Sequence, residues 1–167
     1  PQTCFKGIHE LAPGHFMVVA GETITTRRYW QPDFSPAPAS FRTEDDYADE
    51  LLDLLKDSIR LRLRADVPVA AYLSGGLDSS LITALVRKHF NNRLQTFSVS
   101  FTDKAFDEGP FQQEMARHLG TSHKSISCSY ADIGRIMPQV VWHAEKPLIR
   151  TAPAPLYLMA KLVNKNR

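Results

Sequence analysis

Residues 73–80, Leu73-Ser74-Gly75-Gly76-Leu77-Asp78-Ser79-Ser80, combine residue types that suit anion chemistry. Gly75 and Gly76 lack Cβ atoms, so the backbone can turn sharply there and its N–H groups can approach an anion. Ser74, Ser79 and Ser80 add hydroxyl donors suited to phosphate oxygens. Asp78 would repel a bare phosphate; it makes sense if a Mg²⁺ ion lies between its carboxylate and the oxyanion. The two commoner phosphate loops are absent. The dinucleotide fingerprint needs G-x-G-x-x-G, and the Walker loop needs a Lys after its last Gly.

Such a loop works when a strand delivers it and a helix leaves it. Val69-Ala70-Ala71-Tyr72-Leu73 is a short, wholly apolar run, as expected of a buried parallel strand. A helix is expected from about Asp78 to His89, with Leu81, Ile82, Leu85 and Val86 inward, and its positive dipole end falls at the loop. A second strand covers Thr96 to Phe101. A second helix runs from about Glu108 to Leu119 and stops at Gly120. His123 to Ser127 reads as a third strand, then Ala131 to Ala144 and Pro155 to Asn164 as two more helices. The order β-α-β-α-β-α-α argues for an α/β fold with a parallel sheet and right-handed crossovers. In such sheets ligands sit at the carboxyl ends of the strands, which is where residues 74–80 fall.

Upstream, Thr43-Glu44-Asp45-Asp46 fits a capping box with Asp in the Glu position. Tyr47, Leu51, Leu54, Leu55, Ile59 and Leu63 follow at helical spacing, and the helix ends before Val67-Pro68. Residues 32–40 are rich in Pro, Ala and Ser, so the domain boundary falls there. Before it, Phe16 to Val19 and Thr23 to Trp30, joined by Gly21-Glu22, read as a β-hairpin that belongs to a larger sheet.

Composition sets outer limits. The chain has 167 residues, 43% hydrophobic and 23% charged, an ordinary globular mix. Twenty Lys+Arg against eighteen Asp+Glu leave a net charge of +2, too balanced for nucleic-acid binding by bulk electrostatics. No apolar run reaches the length of about eighteen residues needed to cross a membrane. Cys4 and Cys128 are too few for a disulfide framework, which fits a reducing, cytoplasmic setting. The six histidines form no metal-binding pair; His118 and His123 flank a helix end, where an imidazole suits the dipole. Trp30 and Trp142 are expected in core or hinge packing. The chain starts without Met and stops in the basic turn 161–167, so it reads as an excerpt of a longer protein.

The pattern S-G-G-x-D-S resembles the pyrophosphate loop of the ATP pyrophosphatases. Gly7-Ile8, Leu11-Ala12-Pro13-Gly14-His15 and Arg28-Tyr29-Trp30 resemble the end of the glutaminase domain in glutamine-hydrolysing asparagine synthetases. Arg62-Leu63-Arg64-Ala65-Asp66-Val67-Pro68-Val69, leading into Leu73 to Ser80, is similar to that family's entry into its nucleotide site. Thr96-Phe97-Ser98-Val99, Asp107-Glu108, His118 to His123 and Pro155 to Leu158 continue the resemblance in order, over nearly the whole chain.

The resemblance implies an adenine nucleotide α-hydrolase-like, Rossmann-like sheet. Residues 1–31 would be the end of a glutaminase (Ntn hydrolase-like) domain, 32–42 a linker, and 43–167 the first part of the ATP-binding synthetase domain. It implies ATP and Mg²⁺ as cofactors. Leu73 and Val99 would contact adenosine; Ser74, Gly75, Gly76, Asp78, Ser79 and Ser80 would grip pyrophosphate, with Asp78 on the metal. The implied reaction is amidation of aspartate through β-aspartyl-AMP, with ammonia from glutamine. Arg150 falls on the family's mobile loop over the acyl site; it is either a pyrophosphate or carboxylate ligand or a plain solvent-exposed Arg. The implied partners are aspartate, glutamine or ammonia, and ATP, with no nucleic acid or membrane, and a homodimer for the full-length protein.

The match has gaps. The family's glutaminase uses a Cys at its N-terminus, and Cys4 is not that residue. The later S-G-E-G-A-D-E type motif falls outside this sequence, so the piece alone should be inactive. Glu145-Lys146 stands where the family often has two acidic residues before the Pro matching Pro147. Three other readings fit the loop: a paralogous ligase of β-lactam synthetase or peptide-cyclising type, a non-catalytic nucleotide-binding module, and a tRNA-thiolating relative. The last lacks its reactive Cys and basic face.

Overall fold

In a computed structural model, residues 2–35, 42–91 and 93–166 are described. The chain divides into two compact units, Pro1–Arg42 and Thr43–Arg167. The linker assigned to 32–42 falls largely on residues 36–41, outside the described residues.

The first unit is the expected hairpin. Strands β1 (His15–Ala20) and β2 (Thr23–Arg28) pair antiparallel, from His15 opposite Arg28 to Ala20 opposite Thr23. Gly14 (φ +68°) turns the chain into β1, and its carbonyl accepts from the Tyr29 and Trp30 N–H groups. A Cβ on Gly14 would lie 2.2 Å from the Trp30 carbonyl oxygen, so the position needs glycine. Both hairpin faces carry exposed apolar residues, among them Phe16, Met17, Val19 and Ile24.

The second unit is α/β. Helix α1 (Glu44–Arg62) opens on a complete capping box: the Asp46 N–H donates to Thr43 Oγ at 3.2 Å, and the Thr43 N–H donates to Asp46 Oδ2 at 2.8 Å. Strand β3 (Ala71–Tyr72), helix α2 (Leu77–His89), strand β4 (Gln95–Phe101), helix α3 (Gly109–Leu119), strand β5 (Ser122–Cys128), and helices α4 (Tyr130–Ala144) and α5 (Pro153–Asn164) follow. The three strands form a parallel sheet in the order β3-β4-β5, consistent with a Rossmann-like fold. Helix α3 packs on β4, and α5 on β4 and β5.

Two apolar clusters hold the layers. Ile59, Leu85, Val86 and Leu94 join α1 and α2 beside the sheet. Ile136, Val140 and Ala154 join α4 to α5. Phe97 of the central strand is 1% exposed.

Four expectations need correction. β3 is two residues long rather than five, because among the described residues it pairs with β4 alone and Pro68 offers no N–H to a ladder. Leu81 and Ile82 are exposed, since the buried face of α2 runs through Ser80, Thr83, Leu85 and Val86 instead. On α1 only Ile59 is buried, with Leu52 and Leu55 partly buried beside it, while Tyr47, Leu51 and Leu54 stay more than half exposed. Trp30 and Trp142 are exposed, not packed.

Candidate functional site

Leu73 anchors the end of β3. Its side chain is buried, its N–H donates to the Phe97 carbonyl at 2.9 Å, and its carbonyl accepts from the Ser98 hydroxyl. The backbone therefore leaves the sheet at a fixed point. Gly75 then takes φ +87°, in the left-handed region. A Cβ there would meet the Gln112 N and the Phe111 Cβ, each at 3.0 Å, so α3 presses directly on this turn. Glycine at 75 is required twice, by its φ and by its neighbours.

Gly76 differs. Its backbone is ordinary (φ −74°, ψ 165°), and a Cβ there would meet only the Ser74 Oγ, at 3.4 Å. It is the N-cap of α2, yet no side chain caps this helix. The first-turn amides keep the partial positive charge of an unsatisfied helix start.

The serines knit the loop. Ser79 Oγ lies 2.7 Å from Ser74 Oγ, accepts from the Ser74 N–H at 3.2 Å and donates to the Gly76 carbonyl at 3.2 Å. The Gly76 N–H donates to Ser74 Oγ at 3.3 Å. Thr83, fully buried, donates to the Ser79 carbonyl at 2.7 Å. The Ser80 Oγ is buried and has no partner among the described residues. An orphaned hydroxyl at the start of an uncapped helix is a donor without an assigned acceptor.

Asp78 is exposed, and among the described residues its carboxylate makes no hydrogen bond or ion pair. No group of three His, Cys, Asp or Glu that could hold a metal occurs among them. One free carboxylate does not make a protein cage, but it suits Mg²⁺, which takes one or two carboxylates and fills its octahedron with phosphate oxygens and water. The donor set fits that ion.

Val99 is half-buried toward the carboxyl end of β4, and its carbonyl accepts from Gln112 Nε2 at 3.0 Å. The structure thus brings Leu73, Ser74, Gly75, Gly76, Asp78, Ser79 and Ser80 into one turn, with Val99 on the adjoining strand. Arg150 is exposed in the connection between α4 and α5, and no hydrogen bond or ion pair ties it to that turn among the described residues. His123 lies in β5, not at a helix end; Thr96 Oγ1 is 3.0 Å from its Nδ1, and burial holds its pKa below the usual imidazole value. That favours the neutral ring, which offers no charge to a helix dipole.

Three supporting residues have no role assigned from sequence, although Ser98 and Asp107 fall in segments that carry the family resemblance. Ser98 signals itself weakly, through the polar alternation Thr96, Ser98, Ser100 in β4. Asp107 accepts from the Phe101 N–H at 3.2 Å and the Gly109 N–H at 3.1 Å, tying the end of β4 to the start of α3. Gln112, 3% exposed, gives no sequence signal.

Residues 50–167 match the model of the Asparagine synthase family. The chain is 35% identical over 167 residues to asparagine synthetase [glutamine-hydrolyzing] 1 of Bacillus subtilis (strain 168), covering 99% of this chain and 26% of that protein. A putative asparagine synthetase [glutamine-hydrolyzing] of Mycobacterium tuberculosis (strain ATCC 25618 / H37Rv) is 32% identical, again over 99% of this chain and 26% of the relative. Amidase chyE of Penicillium rubens is 29% identical over 88% of this chain and 24% of its own length. The chain thus spans about a quarter of the length of these relatives. Among the described residues no helix is long and apolar enough to cross a membrane.

Proposed function

The chain belongs to the asparagine synthase family, and from that premise we propose that residues 73–80 hold the pyrophosphate end of ATP in an ATP-dependent amide-forming ligase. The observation that carries this reading is the bare start of α2: no side chain caps it, and the buried Ser80 hydroxyl beside it has no partner. On this reading the amides after Gly75 and the hydroxyls of Ser74, Ser79 and Ser80 take the β- and γ-phosphate oxygens. Leu73 and Val99, on neighbouring strands, flank adenosine. Asp78 would hold Mg²⁺, and the ion would supply charge neutralisation at the phosphates.

The chemistry that follows is in-line displacement at phosphorus, which depends on positioning and charge. The side-chain carboxylate of aspartate attacks the α-phosphorus. The bond to the bridging oxygen breaks, and pyrophosphate leaves within the serine–glycine turn. β-Aspartyl-AMP results. Ammonia, released from glutamine elsewhere in the complete protein, adds to the acyl carbon; AMP departs, a proton is lost, and asparagine forms. Arg150 takes pyrophosphate or the aspartate carboxylate on this account. Residues 1–31 are then the end of a glutaminase domain and 43–167 the first part of a synthetase domain. The complete protein is assigned to the cytoplasm, as a homodimer that handles small molecules rather than nucleic acid.

A second reading has its own support, the fungal relative named an amidase. On that reading this chain keeps the turn and its adenylation step while the carboxylic acid differs. ATP–pyrophosphate exchange by the complete natural protein separates the two. Labelled pyrophosphate should enter ATP only when aspartate is present, and Asp78→Asn should lower that exchange by about a hundredfold. Exchange with another carboxylic acid but not aspartate gives the second reading. Magnesium-dependent ATP binding unaltered by Asp78→Asn, with no exchange for any acid, leaves a passive nucleotide-binding module.

A further inference from the structure

The turn at 73–80 does not stand alone; α3 leans on it, and a single buried side chain sets how. Gln112 is 3% exposed, in the first turn of α3. Its Nε2 donates to the Val99 carbonyl at 3.0 Å, and its own N–H donates to the Glu108 carbonyl at 3.0 Å. The same backbone nitrogen lies 3.0 Å from where a Gly75 Cβ would be. One residue therefore touches both strand ends: through its amide side chain it fixes the carbonyl of Val99, and through its backbone it backs the left-handed turn at Gly75. Asp107 braces the same corner from the other side, by accepting from the Phe101 and Gly109 amides.

We infer that Gln112 is a positioning residue for the nucleotide, setting the register between the β4 strand end that flanks adenosine and the turn that takes the phosphates. The inference rests on the ATP-binding reading above. It goes further in assigning a specific job to a side chain that touches no ligand. A glutamine amide satisfies the Val99 carbonyl, and a carbonyl left without a donor in a buried place tilts toward water or another donor. That tilt would move the adenosine side of the site more than the phosphate side, because α3 still packs on Gly75 by its backbone.

The test uses Gln112→Met in the complete natural protein, with magnesium present, and three probes: ATP, AMP and inorganic pyrophosphate. Methionine keeps the volume and removes the donor. The expected result is about a tenfold rise in the Kd of AMP and ATP, a pyrophosphate Kd within about twofold of wild type, and a melting temperature within a few degrees. A uniform loss of affinity for all three, in step with a lowered melting temperature, makes Gln112 a plain packing residue and overturns the inference. Unchanged AMP affinity overturns it too. Wild-type protein that binds neither ATP nor pyrophosphate sinks the underlying reading and the inference with it.

Gln112→Glu gives an independent check if the methionine variant does not fold. A buried carboxyl can donate to the Val99 carbonyl only when protonated. AMP binding by that variant should strengthen as pH falls through the raised pKa of the buried Glu, beyond any change in wild type over the same range. A pH profile parallel to wild type rejects the positioning role.

Discussion

Helices α2 and α4 begin in the same backbone conformation and are finished in opposite ways. The N-cap of α4, Ser129, has φ −105° and ψ 166°; that of α2, Gly76, has φ −74° and ψ 165°. At α4 the Ser129 hydroxyl accepts from the Asp132 N–H at 3.2 Å, and the Asp132 carboxylate accepts from the Ser129 N–H at 3.0 Å. Helix α1 repeats that box with Thr43 and Asp46. Helices α3 and α5 carry proline in the first turn, Pro110 and Pro153, which removes a donor instead of satisfying it. Among the described residues only α2 pairs a glycine cap with an unpartnered buried hydroxyl, Ser80. A side chain that caps a helix occupies the place an anion would take; a glycine leaves it open.

The largest expected effect comes from the turn that presents this open end. Gly75→Ala meets two obstacles: a left-handed φ, worth about 1–2 kcal/mol against any other residue, and contacts at 3.0 Å to Gln112 N and Phe111 Cβ. Urea unfolding should show a loss of about 2–4 kcal/mol. A loss below about 1 kcal/mol would mean that α3 yields easily and does not back the turn.

Next comes an exchange of finish. Gly76→Asp gives α2 the cap that α1 and α4 possess, in a backbone already suited to it, with only Ser74 Oγ nearby at 3.4 Å. Stability should rise by a few tenths of a kcal/mol. Binding of magnesium ATP should weaken by about a hundredfold, because the new carboxylate stands among the phosphates. Isothermal titration and thermal unfolding on one sample read both changes. Stability and affinity falling together would show that the α2 start is bare for a packing reason.

Much of this was legible beforehand, and the gaps share a physical cause. Residues 74–80 are legible as a sharp turn between strand and helix because glycine and serine types act locally; the left-handed φ at Gly75 and the cap position of Gly76, one residue before the helix start at Leu77, came from the fold. The Thr43 box and the Gly120 stop were legible for the same reason. The Ser129–Asp132 box carries the same local S-x-x-D signal, although the helix expected from Ala131 starts without it. What required the fold was anything set by register. That β3 pairs over only two residues, that Leu81 and Ile82 face outward, and that Gln112 reaches the Val99 carbonyl depend on which element lies alongside. A lone Gln in a helix looks the same whether it faces water or a strand.

The smallest effect should fall on the closed end, and its pH dependence separates the two ends most cleanly. Ser129→Ala removes the box from α4 and should lower stability by about 1 kcal/mol near neutral pH. ATP affinity should stay at the wild-type value, since α4 starts at the far strand of the sheet. The Ser129 hydroxyl, first, and then the Ser129 N–H hold the Asp132 carboxyl below the usual carboxylate range. A depressed folded pKa means that the unfolded chain takes up the proton first as pH falls. The stability that the ionised carboxylate supplies is therefore complete above the ordinary aspartate pKa of about 4 and fades below it. The gap between wild type and Ser129→Ala should thus narrow as pH drops from about 5 toward 3. Gly76→Ala offers the contrast, because no carboxylate serves the α2 cap: its stability difference from wild type should stay flat over the same range. A gap for Ser129→Ala that holds constant into acid would mean the hydroxyl alone caps α4, and the two helix starts would then differ by one hydrogen bond instead of by a charged box.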